Sequence, residues 1–255
     1  MLELQRVTKL FGGISACQDI SFTVDKNQIV GLIGPNGAGK TTIFNLISGV
    51  YTPSSGRIIY GGQNIAGFRP DKIVDIGIAR TFQNIRLFKN LSTLENVCIA
   101  VDNKVEYGLT EAVLRLPSVT RAEKRVNAKA MKYLEIVGLN ERASLPACSL
   151  PYGLQRKLEI ARALALEPKL LLLDEPAAGM NPEESAELAK MIRNIQEQFD
   201  ISILLIEHHM DVVMDLCQKI IVLNFGKMLQ EGDAETIQSS PEVLRAYLGE
   251  GYRRA

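Results

Sequence analysis

Residues 34–41 read Gly-Pro-Asn-Gly-Ala-Gly-Lys-Thr, and this stretch decides how the rest of the chain is interpreted. It follows an apolar run, 29–33, and leads into a helix-like segment, 42–47. A buried strand, a glycine turn and a helix start are the context in which G-x-x-x-x-G-K-[ST] binds phosphate. Glycines let backbone N–H groups turn toward an anion, and the following helix points its positive end at the same place. The stretch therefore predicts that the chain binds a nucleoside triphosphate.

This phosphate loop assigns parts to individual residues. Lys40 is expected to reach the β- and γ-phosphates, and the Thr41 hydroxyl is expected to bind Mg²⁺. The alternative, a glycine-rich turn that carries a lysine by chance, is disfavoured by the flanking strand and helix. Phe11, expected in the loop before Gly12-Gly13, is placed to stack on a base, with packing in the core as the alternative. The residues predicted to bind the nucleotide are Phe11, Gly34, Pro35, Asn36, Gly37, Ala38, Gly39, Lys40, Thr41 and Thr42.

Composition disfavours several classes of function. The 255 residues carry 29 basic and 29 acidic side chains, whereas nucleic-acid-binding proteins usually have a basic excess. The four cysteines lie far apart without a C-x-x-C pair, so we interpret them as small buried residues and not as zinc ligands or a disulfide frame. The sequence shows neither a signal peptide nor about 18 consecutive apolar residues. We therefore expect any membrane role to be played from the cytoplasmic face through a partner.

Hydrophobic patterning predicts an α/β core with a flap. Residues 2–7, 20–24 and 57–60 read as strands separated by glycine turns, which predicts an antiparallel flap beside the nucleotide. Residues 169–175 and 201–206 are apolar runs of the length expected for parallel strands buried on both faces. The core sheet is therefore expected to be largely parallel.

From about residue 89 to 156 the pattern changes to helices. Ser92 and Glu95 form a capping box, and 121–137 is an amphipathic helix with Met131 among its apolar residues. We interpret this segment as a helical lobe inserted into the core. The expected bounds are a core of 1–88 and 157–230, a helical subdomain of about 89–156 and a C-terminal helical tail of 231–255.

Polar residues follow the strands that are expected to end at the same edge of the sheet as the phosphate loop. Asp174 ends a run of four leucines, where a carboxylate can hold Mg²⁺ opposite Thr41. Glu175 comes next and is placed to orient or deprotonate the attacking water. Gln83 and His208, at other strand ends, complete the expected surroundings of the γ-phosphate. The catalytic candidates are thus Glu175, His208 and Gln83, and the Mg²⁺ ligands are Thr41, Gln83 and Asp174.

Together these features resemble the ATP-binding subunits of ABC transporters over residues 2–248. That family has an aromatic residue, a phosphate loop, a glutamine, a signature before a helix, an acidic strand end, a short loop and a histidine, in this order. Here these are Phe11, Gly34–Thr41, Gln83, Leu150-Pro151-Tyr152-Gly153-Leu154-Gln155, Asp174-Glu175, Ala177–Asn181 and His208. The resemblance implies an α/β P-loop NTPase with a RecA-like mixed or parallel sheet core, an antiparallel β flap and an inserted α-helical subdomain. Its cofactors would be ATP and Mg²⁺.

Further stretches are similar to the ATPases of branched-chain amino acid importers, in particular the larger, LivG-type subunit of the two. These stretches are 80–83 (Arg-Thr-Phe-Gln) with 86–88, 156–162, 176–182, 206–208 and 245–250. The helical insert around 104–120 also suits the length of that subunit. Uptake systems for urea or other amides look similar, so the transported substrate stays open between them.

The resemblance implies two ATP molecules sandwiched between two ATPase subunits. Each nucleotide would lie between the phosphate loop of one subunit and the signature of the other, so Leu150 to Gln155 would contact ATP in trans. The second subunit is expected to be a different chain, with a homodimer as the alternative. Transmembrane permease subunits would dock on the helical subdomain and the segment after Gln83, and a substrate-binding protein would act indirectly. The chain would be a peripheral subunit on the cytoplasmic face of the membrane, with no nucleic acid as a partner.

Three positions depart from the family pattern. Pro151 stands where serine is usual, and Leu154 stands where glutamine is frequent, so neither offers a side-chain hydrogen bond to a γ-phosphate. The site that uses this signature is either weaker than the other site or unaffected, since a neutral hydrogen bond contributes only about 0.5–1.5 kcal/mol. Asn181 replaces the aspartate of the short loop and keeps a hydrogen-bonding side chain without the charge.

Three other classes of protein are alternatives to this function. The first is a soluble signalling or kinase-like P-loop ATPase without a role in transport. The GTPases carry N-K-x-D, and residues 103–106 read Asn-Lys-Val-Glu in the helical insert, which we interpret as chance. ABC proteins that act on DNA or ribosomes usually carry two ATPase halves or long coiled coils, and this sequence shows one half. The ATPase of a lipid exporter, which is similar in sequence, stays an alternative.

Overall fold

The structure of the protein is a computed structural model that describes residues 1–101 and 117–248. The chain divides into two compact units. The first contains Met1–Gln83 and continues from Lys169, and the second is Asn84–Pro168. Residues 103–106, most of the insert expected around 104–120, and the chain after 248 lie outside the described residues.

The described residues contain ten strands and nine α-helices. The strands are β1 (Leu2–Phe11), β2 (Ile14–Val24), β3 (Ile29–Ile33), β4 (Ser55–Tyr60), β5 (Gln63–Asn64), β6 (Ile78–Arg80), β7 (Leu170–Asp174), β8 (Ser202–Ile206), β9 (Lys219–Asn224) and β10 (Lys227–Gly232). The helices are α1 (Lys40–Ile47), α2 (Pro70–Asp75), α3 (Thr93–Val101), α4 (Pro117–Ile136), α5 (Tyr152–Leu164), α6 (Pro182–Phe199), α7 (Met210–Leu216), α8 (Ala234–Gln238) and α9 (Pro241–Leu248). Two short 3₁₀ helices, Asn140–Arg142 and Ala147–Ser149, lie between α4 and α5.

The larger sheet has the order β10-β9-β3-β8-β7-β6. Its strands from β9 to β6 are parallel, and β10 runs antiparallel to β9. As their apolar runs predicted, β3, β7 and β8 are buried along their whole lengths. Because parallel strands end at one edge of a sheet, the phosphate loop, Glu175 and Glu207-His208 follow neighbouring strands at the same edge. Gln83 was expected at a strand end, but β6 ends at Arg80 and leaves Gln83 in the loop beyond it.

The smaller sheet, with the order β2-β1-β4-β5, is the predicted antiparallel flap. β1 pairs with β2 on one side and with β4 on the other, and their buried side chains share a hydrophobic cluster with those of α1 and β3. The pairing of β1 with β2 continues as far as Phe11 and Ile14, so the turn needs only Gly12-Gly13. Phe11 therefore ends a strand, and the expectation that it lies in a loop was wrong.

In the second unit, α3, α4 and α5 pack together. The N–H of Ser92 donates to the Glu95 carboxylate at 2.7 Å and the N–H of Glu95 donates to the Ser92 hydroxyl at 3.2 Å, which confirms the predicted capping box. Met131 on α4 is 38% exposed, which corrects its assignment to the buried face. Successive residues of a helix are rotated by about 100°. Ala130 and Leu134 lie on the buried face, so Met131 points to the side of that face.

The bounds of the units differ from those expected from the sequence. α5 runs without a break from Tyr152 to Leu164, so a boundary at 156 would cut a continuous helix. At the C-terminal side, residues 231 and 232 belong to β10, and the helices begin at Ala234. The division of the chain into functional domains stays a prediction.

Two findings bear on the expectations from composition. Cys17 and Cys217 are buried, but Cys148 is exposed and Cys98 is half-buried, so the expectation of burial was wrong for two of the four. All four are free thiols. Among the described residues, no helix is both long enough and apolar enough to cross a membrane.

Candidate active site

The phosphate loop connects the buried end of β3 to α1, and its shape requires glycine at both ends. Gly39 precedes α1 with a φ of 99°, and a Cβ at this position would lie 2.5 Å from the carbonyl oxygen of Ala16. Gly34 has a φ of 148°, and a Cβ there would lie 2.1 Å from the carbonyl oxygen of Leu223. A side chain at either position would meet backbone atoms in a conformation that L-residues rarely adopt. The loop is therefore held closely between β2 and β9.

Lys40, the first residue of α1, turns its ammonium group into this loop. It is 6% exposed, and its Nζ donates to the carbonyl oxygens of Gly34 at 2.7 Å and Pro35 at 2.9 Å. Burial lowers the pKa of Lys40, and the carboxylates of Glu175 and Asp174 oppose this shift. An anion in the loop would favour the charged lysine in the same way, so the position suits a phosphate group.

A cavity of about 260 Å³ opens at the loop. Its lining comes from β2, the phosphate loop, α1 and the segments that follow β6, β7 and β8: Ala16, Asn36, Gly37, Ala38, Gly39, Lys40, Thr41, Thr42, Gln83, Glu175 and His208. Of these, only Ala16 was not predicted from the sequence. Pockets for whole small-molecule ligands enclose about 300–1,000 Å³, so the cavity suits the triphosphate better than a complete nucleotide.

Phe11 does not line this cavity. Its ring packs edge-on against Tyr51, with the ring centroids 5.1 Å apart, and the Lys9 ammonium lies 4.9 Å from the centroid of the Phe11 ring. The Phe11 residue is 42% exposed, so it offers an apolar surface on which a base can stack. Its contact with a nucleotide stays a prediction.

Glu175, the first residue after β7, is held on both sides. Gln83 Nε2 donates to Glu175 Oε2 at 2.8 Å, and His208 Nε2 lies 2.7 Å from Glu175 Oε1. The backbone of Glu175 has a φ of 50°, which is uncommon for a residue with a Cβ, and its N–H donates to the carbonyl oxygen of Ile206 at 2.9 Å. The structure thus brings together the three catalytic candidates that the sequence placed at separate strand ends.

Asp174, the last residue of β7, is 2% exposed and forms an ion pair with Arg80. Arg80 Nη2 donates to Asp174 Oδ2 at 2.8 Å, and Arg80 Nη1 donates to Asn45 Oδ1 at 2.7 Å and to Ser48 Oγ at 2.9 Å. The pair therefore connects the predicted metal ligand to α1. Sequence reasoning missed a role for Arg80, and the available signal was an arginine at the end of a buried strand.

The chain is similar in sequence and in fold to known proteins. The family described as ABC transporter matches residues 17–178, which is more than half of the chain. The chain belongs to the ABC transporter family. This ABC ATPase is 42% identical over 250 residues to the high-affinity branched-chain amino acid transport ATP-binding protein LivG of Escherichia coli strain K12, and the match covers 98% of each chain.

Two further relatives agree with this assignment of the ABC ATPase. BraF of Pseudomonas aeruginosa, also a high-affinity branched-chain amino acid transport ATP-binding protein, is 41% identical over 98% of each chain. The ADP conformation of MJ1267, an ATP-binding cassette of an ABC transporter, matches with a TM-score of 0.85 and 29% identity, covering 98% of this chain and 99% of that one. The family resemblance, the fold class and the ATPase assignment made from the motifs are therefore confirmed.

The signature of this ABC ATPase begins α5. Pro151 precedes the helix, and its carbonyl oxygen accepts hydrogen bonds from the N–H groups of Leu154 and Gln155, each at 3.0 Å. The N–H groups of Tyr152 and Gly153 thus lie ahead of the first internal hydrogen bond, at the positive end of the helix. They are the donors that this signature can offer an anion without a serine side chain. Its contact with ATP in trans stays a prediction.

A buried arginine supports the signature of the ABC ATPase from within the second unit. Arg156 is fully buried, and it donates to Glu159 Oε2 and to the Tyr152 hydroxyl, each at 2.9 Å. Gln155 Nε2 donates to the Leu150 carbonyl oxygen at 2.8 Å, so this side chain binds its own loop. Sequence reasoning did not identify the Arg156–Glu159 pair, although the spacing of three residues on a helix was its signal.

The short loop after Glu175 is fixed at both ends. Asn181 caps α6, accepting from the N–H of Glu184 at 2.9 Å, while its own N–H donates to the Glu184 carboxylate at 3.0 Å. At the other end, the N–H of Ala177 donates to Glu207 Oε1 at 2.6 Å. Glu207 is a buried carboxylate next to His208, and sequence reasoning passed over it.

Proposed function

We propose that this chain is the ATP-hydrolysing subunit of an importer for branched-chain or related amino acids. The observation that carries the proposal is that Gln83 and His208 both contact the carboxylate of Glu175 at the phosphate-loop cavity. The likeness to LivG and BraF over nearly the whole chain supports the kind of cargo.

ATP would bind with its triphosphate against the phosphate loop. The loop N–H groups and the positive end of α1 would face the phosphate oxygens, and Lys40 would exchange its contacts with the Gly34 and Pro35 carbonyls for the β- and γ-phosphates. The exposed ring of Phe11 would stack on the base.

The donor atoms at the strand ends suit Mg²⁺. Thr41, Gln83 and Asp174 carry hydroxyl, amide and carboxylate oxygens, the hard ligands that this ion prefers, and Mg²⁺ usually takes its remaining ligands from phosphates and water. The described residues contain no group of three or more His, Cys, Asp or Glu side chains that could hold a metal. When bound, Mg²⁺ would neutralise negative charge on the phosphates.

Glu175 is placed to act on the attacking water. The water oxygen would form a bond to the γ-phosphorus as the bond from that phosphorus to the β–γ bridging oxygen breaks, and Glu175 would take the proton. A carboxylate has about four lone-pair sites, so Glu175 can accept from the water while it keeps its contacts with Gln83 and His208. Lys40 would stabilise the charge that develops on the phosphoryl oxygens.

Transport would need other chains. A second ATPase subunit, expected to be a different chain, would bring its signature to this phosphate loop and receive the signature of this chain. Permease subunits would bind the second unit, where Phe88, Ile99 and Leu145 are 50%, 46% and 44% exposed, since exposed apolar groups often mark partner surfaces. A substrate-binding protein would deliver the amino acid to the permeases, and this chain would work at the cytoplasmic face.

ATP turnover and uptake by the assembled transporter test the proposal. We expect Glu175→Gln to lower kcat at least about 100-fold, the usual contribution of a general base, with ATP binding retained. Undiminished turnover would refute the role of Glu175. Uptake of labelled leucine, urea or lipid by vesicles that contain the transporter, measured in separate samples, identifies the cargo. Transport of urea or lipid without leucine would refute the amino-acid assignment.

A further inference from the structure

Glu207 is a buried carboxylate whose role the proposed chemistry does not explain. It directly follows β8, and the residue is 1% exposed. Its Oε1 accepts from the N–H of Ala177 at 2.6 Å. Its Oε2 accepts from the N–H groups of His208 at 2.9 Å and His209 at 3.3 Å, and the His209 ring Nδ1 lies 3.2 Å away. In the described part of the chain, the partners of this anion are therefore backbone N–H groups and one imidazole, with no lysine or arginine among them.

Two of these N–H groups belong to loops that meet at Glu175. Ala177 lies two residues after Glu175, at the start of the short loop that ends in the cap of α6 at Asn181. His208 contacts the Glu175 carboxylate through its ring. Glu207 thus closes a ring of contacts in which Glu175 is joined to Ala177 through the chain and to His208 through a hydrogen bond.

Such a ring restrains the distance between the carboxylate of Glu175 and the ring of His208. If the Glu207 contacts were lost, the Ala177 loop and the His208 loop would each gain freedom, and the Glu175–His208 contact would rest on its own hydrogen bond and on the hydrogen bond from the Glu175 N–H to the Ile206 carbonyl. Charge-assisted hydrogen bonds from backbone N–H groups are shorter and stronger than neutral ones, so a carboxylate is better suited to this place than an amide.

We propose that Glu207 is a positioning residue for ATP hydrolysis, which joins the His208 loop to the loop Ala177–Asn181. This inference rests on the proposed function, because it acts through Glu175 and His208. The loop Ala177–Asn181 connects the catalytic carboxylate, Glu175, to α6. A change at His208 would therefore reach the Ala177 loop through Glu207, without a contact between Glu207 and ATP.

Glu207→Gln tests this role with almost no change in volume. An amide has one oxygen and one NH₂ group. In one orientation the NH₂ group would face the N–H of Ala177, and in the other it would face the N–H groups of His208 and His209. In either case two donors would face each other and a hydrogen bond would be lost. We expect kcat to fall about 10- to 100-fold, the range in which small misplacements of reacting groups act, while KM and Kd for ATP stay within about twofold. Amide hydrogen exchange should rise in both 177–181 and 207–209.

Ser202→Ala is the matched control, because Ser202 is a buried polar residue at the opposite end of the same strand. Its hydroxyl accepts from the N–H of Asn27 at 3.0 Å and donates to the Asp25 carbonyl oxygen at 2.9 Å, away from the cavity. We expect this variant to lower Tm without changing kcat or exchange near Ala177. A purely structural role for Glu207 would instead lower ATP affinity, Tm and kcat together.

The outcomes separate this inference from the proposed function. An unchanged kcat in Glu207→Gln, or a kcat that falls only in proportion to ATP binding, overturns the role of Glu207 and leaves ATP hydrolysis intact. Failure of the unmodified transporter to hydrolyse ATP overturns the proposed function. In that case the exchange of the Ala177 and His208 amides in the full-length chain still reports whether Glu207 joins the two loops, and unchanged exchange refutes it.

Discussion

Replacing Arg80 by methionine tests the ion pair at the predicted metal ligand. The side chains of Arg80 and Asp174 are 7% and 3% exposed, so the variant removes a buried positive charge that lies in direct contact with a buried carboxylate. Methionine keeps most of the length and the packing against Phe44 and Phe82, whose ring centroids lie 5.5 and 5.1 Å from the guanidinium carbon. Removing one partner of a buried ion pair typically costs about 3–5 kcal/mol of folding free energy.

Thermal unfolding of the purified full-length chain measures this cost. For a chain of this size, 1 kcal/mol shifts Tm by about 2–4 °C, so we expect Arg80→Met to lower Tm by about 6–20 °C. The control is Arg193→Met, which removes a pair with Asp215 at 3.0 Å whose side chains are 38% and 61% exposed. A surface pair contributes about 0–1 kcal/mol, so the control should lose no more than about 4 °C.

Adding Mg²⁺ and ADP gives a second measurement on the same variants. If Asp174 binds Mg²⁺, the ion supplies the counter-charge that Arg80→Met removes, so this variant should gain more in Tm than the unmodified chain does. A Tm loss no larger than that of Arg193→Met would refute the argument for a buried and required pair. Equal gains with Mg²⁺ and ADP in all three chains would contradict Asp174 as a metal ligand.

Three other substitutions give separate tests. Gly39→Ala should abolish ATP binding measured by fluorescence of a labelled nucleotide, because its Cβ would lie 2.5 Å from the Ala16 carbonyl oxygen; retained binding would show that the loop can shift. Pro151→Ser should raise ATP turnover of the assembled transporter by up to about tenfold, the equivalent of one hydrogen bond, and an unchanged rate would mean that the proline is harmless. Asn181→Ala should cost about 0.5–2 kcal/mol of folding free energy through loss of the α6 cap, measured by urea unfolding, and no loss of stability would contradict the capping role.

Features set by local sequence were predictable. The apolar runs identified β7 and β8. The fixed spacing of glycine, lysine and threonine within 34–41 identified the phosphate loop. The cap of α6 at Asn181 is also a local feature, because asparagine is a residue type that favours the start of a helix and accepts a backbone hydrogen bond there. Because strand ends in a parallel sheet share an edge, even the meeting of Gln83, Glu175 and the histidine after β8 could be anticipated.

Features set by contacts between distant residues were not predictable. Arg80 and Asp174 are 94 positions apart, and Glu207 and Ala177 are 30 positions apart, so nothing in the local pattern pairs them. Phe11 was placed in a loop because the first strand was expected to end at residue 7, whereas pairing with β2 extends the strand to Phe11. Patterns of residue type report which face is buried, but they do not report which buried charges share a hydrogen bond.

The contacts of Lys40 have a consequence for the energetics of nucleotide exchange. Since two carbonyl oxygens of the loop bind its ammonium, the loop itself orders this side chain, and a phosphate bound there would cost it little further rotamer entropy. A phosphate would replace two neutral carbonyl oxygens by anionic ones, so the loss of these two contacts would offset only part of the gain from the ion pair. The two carbonyl oxygens would compete with a phosphate for the ammonium, and this competition would lower the affinity of the loop for a nucleotide.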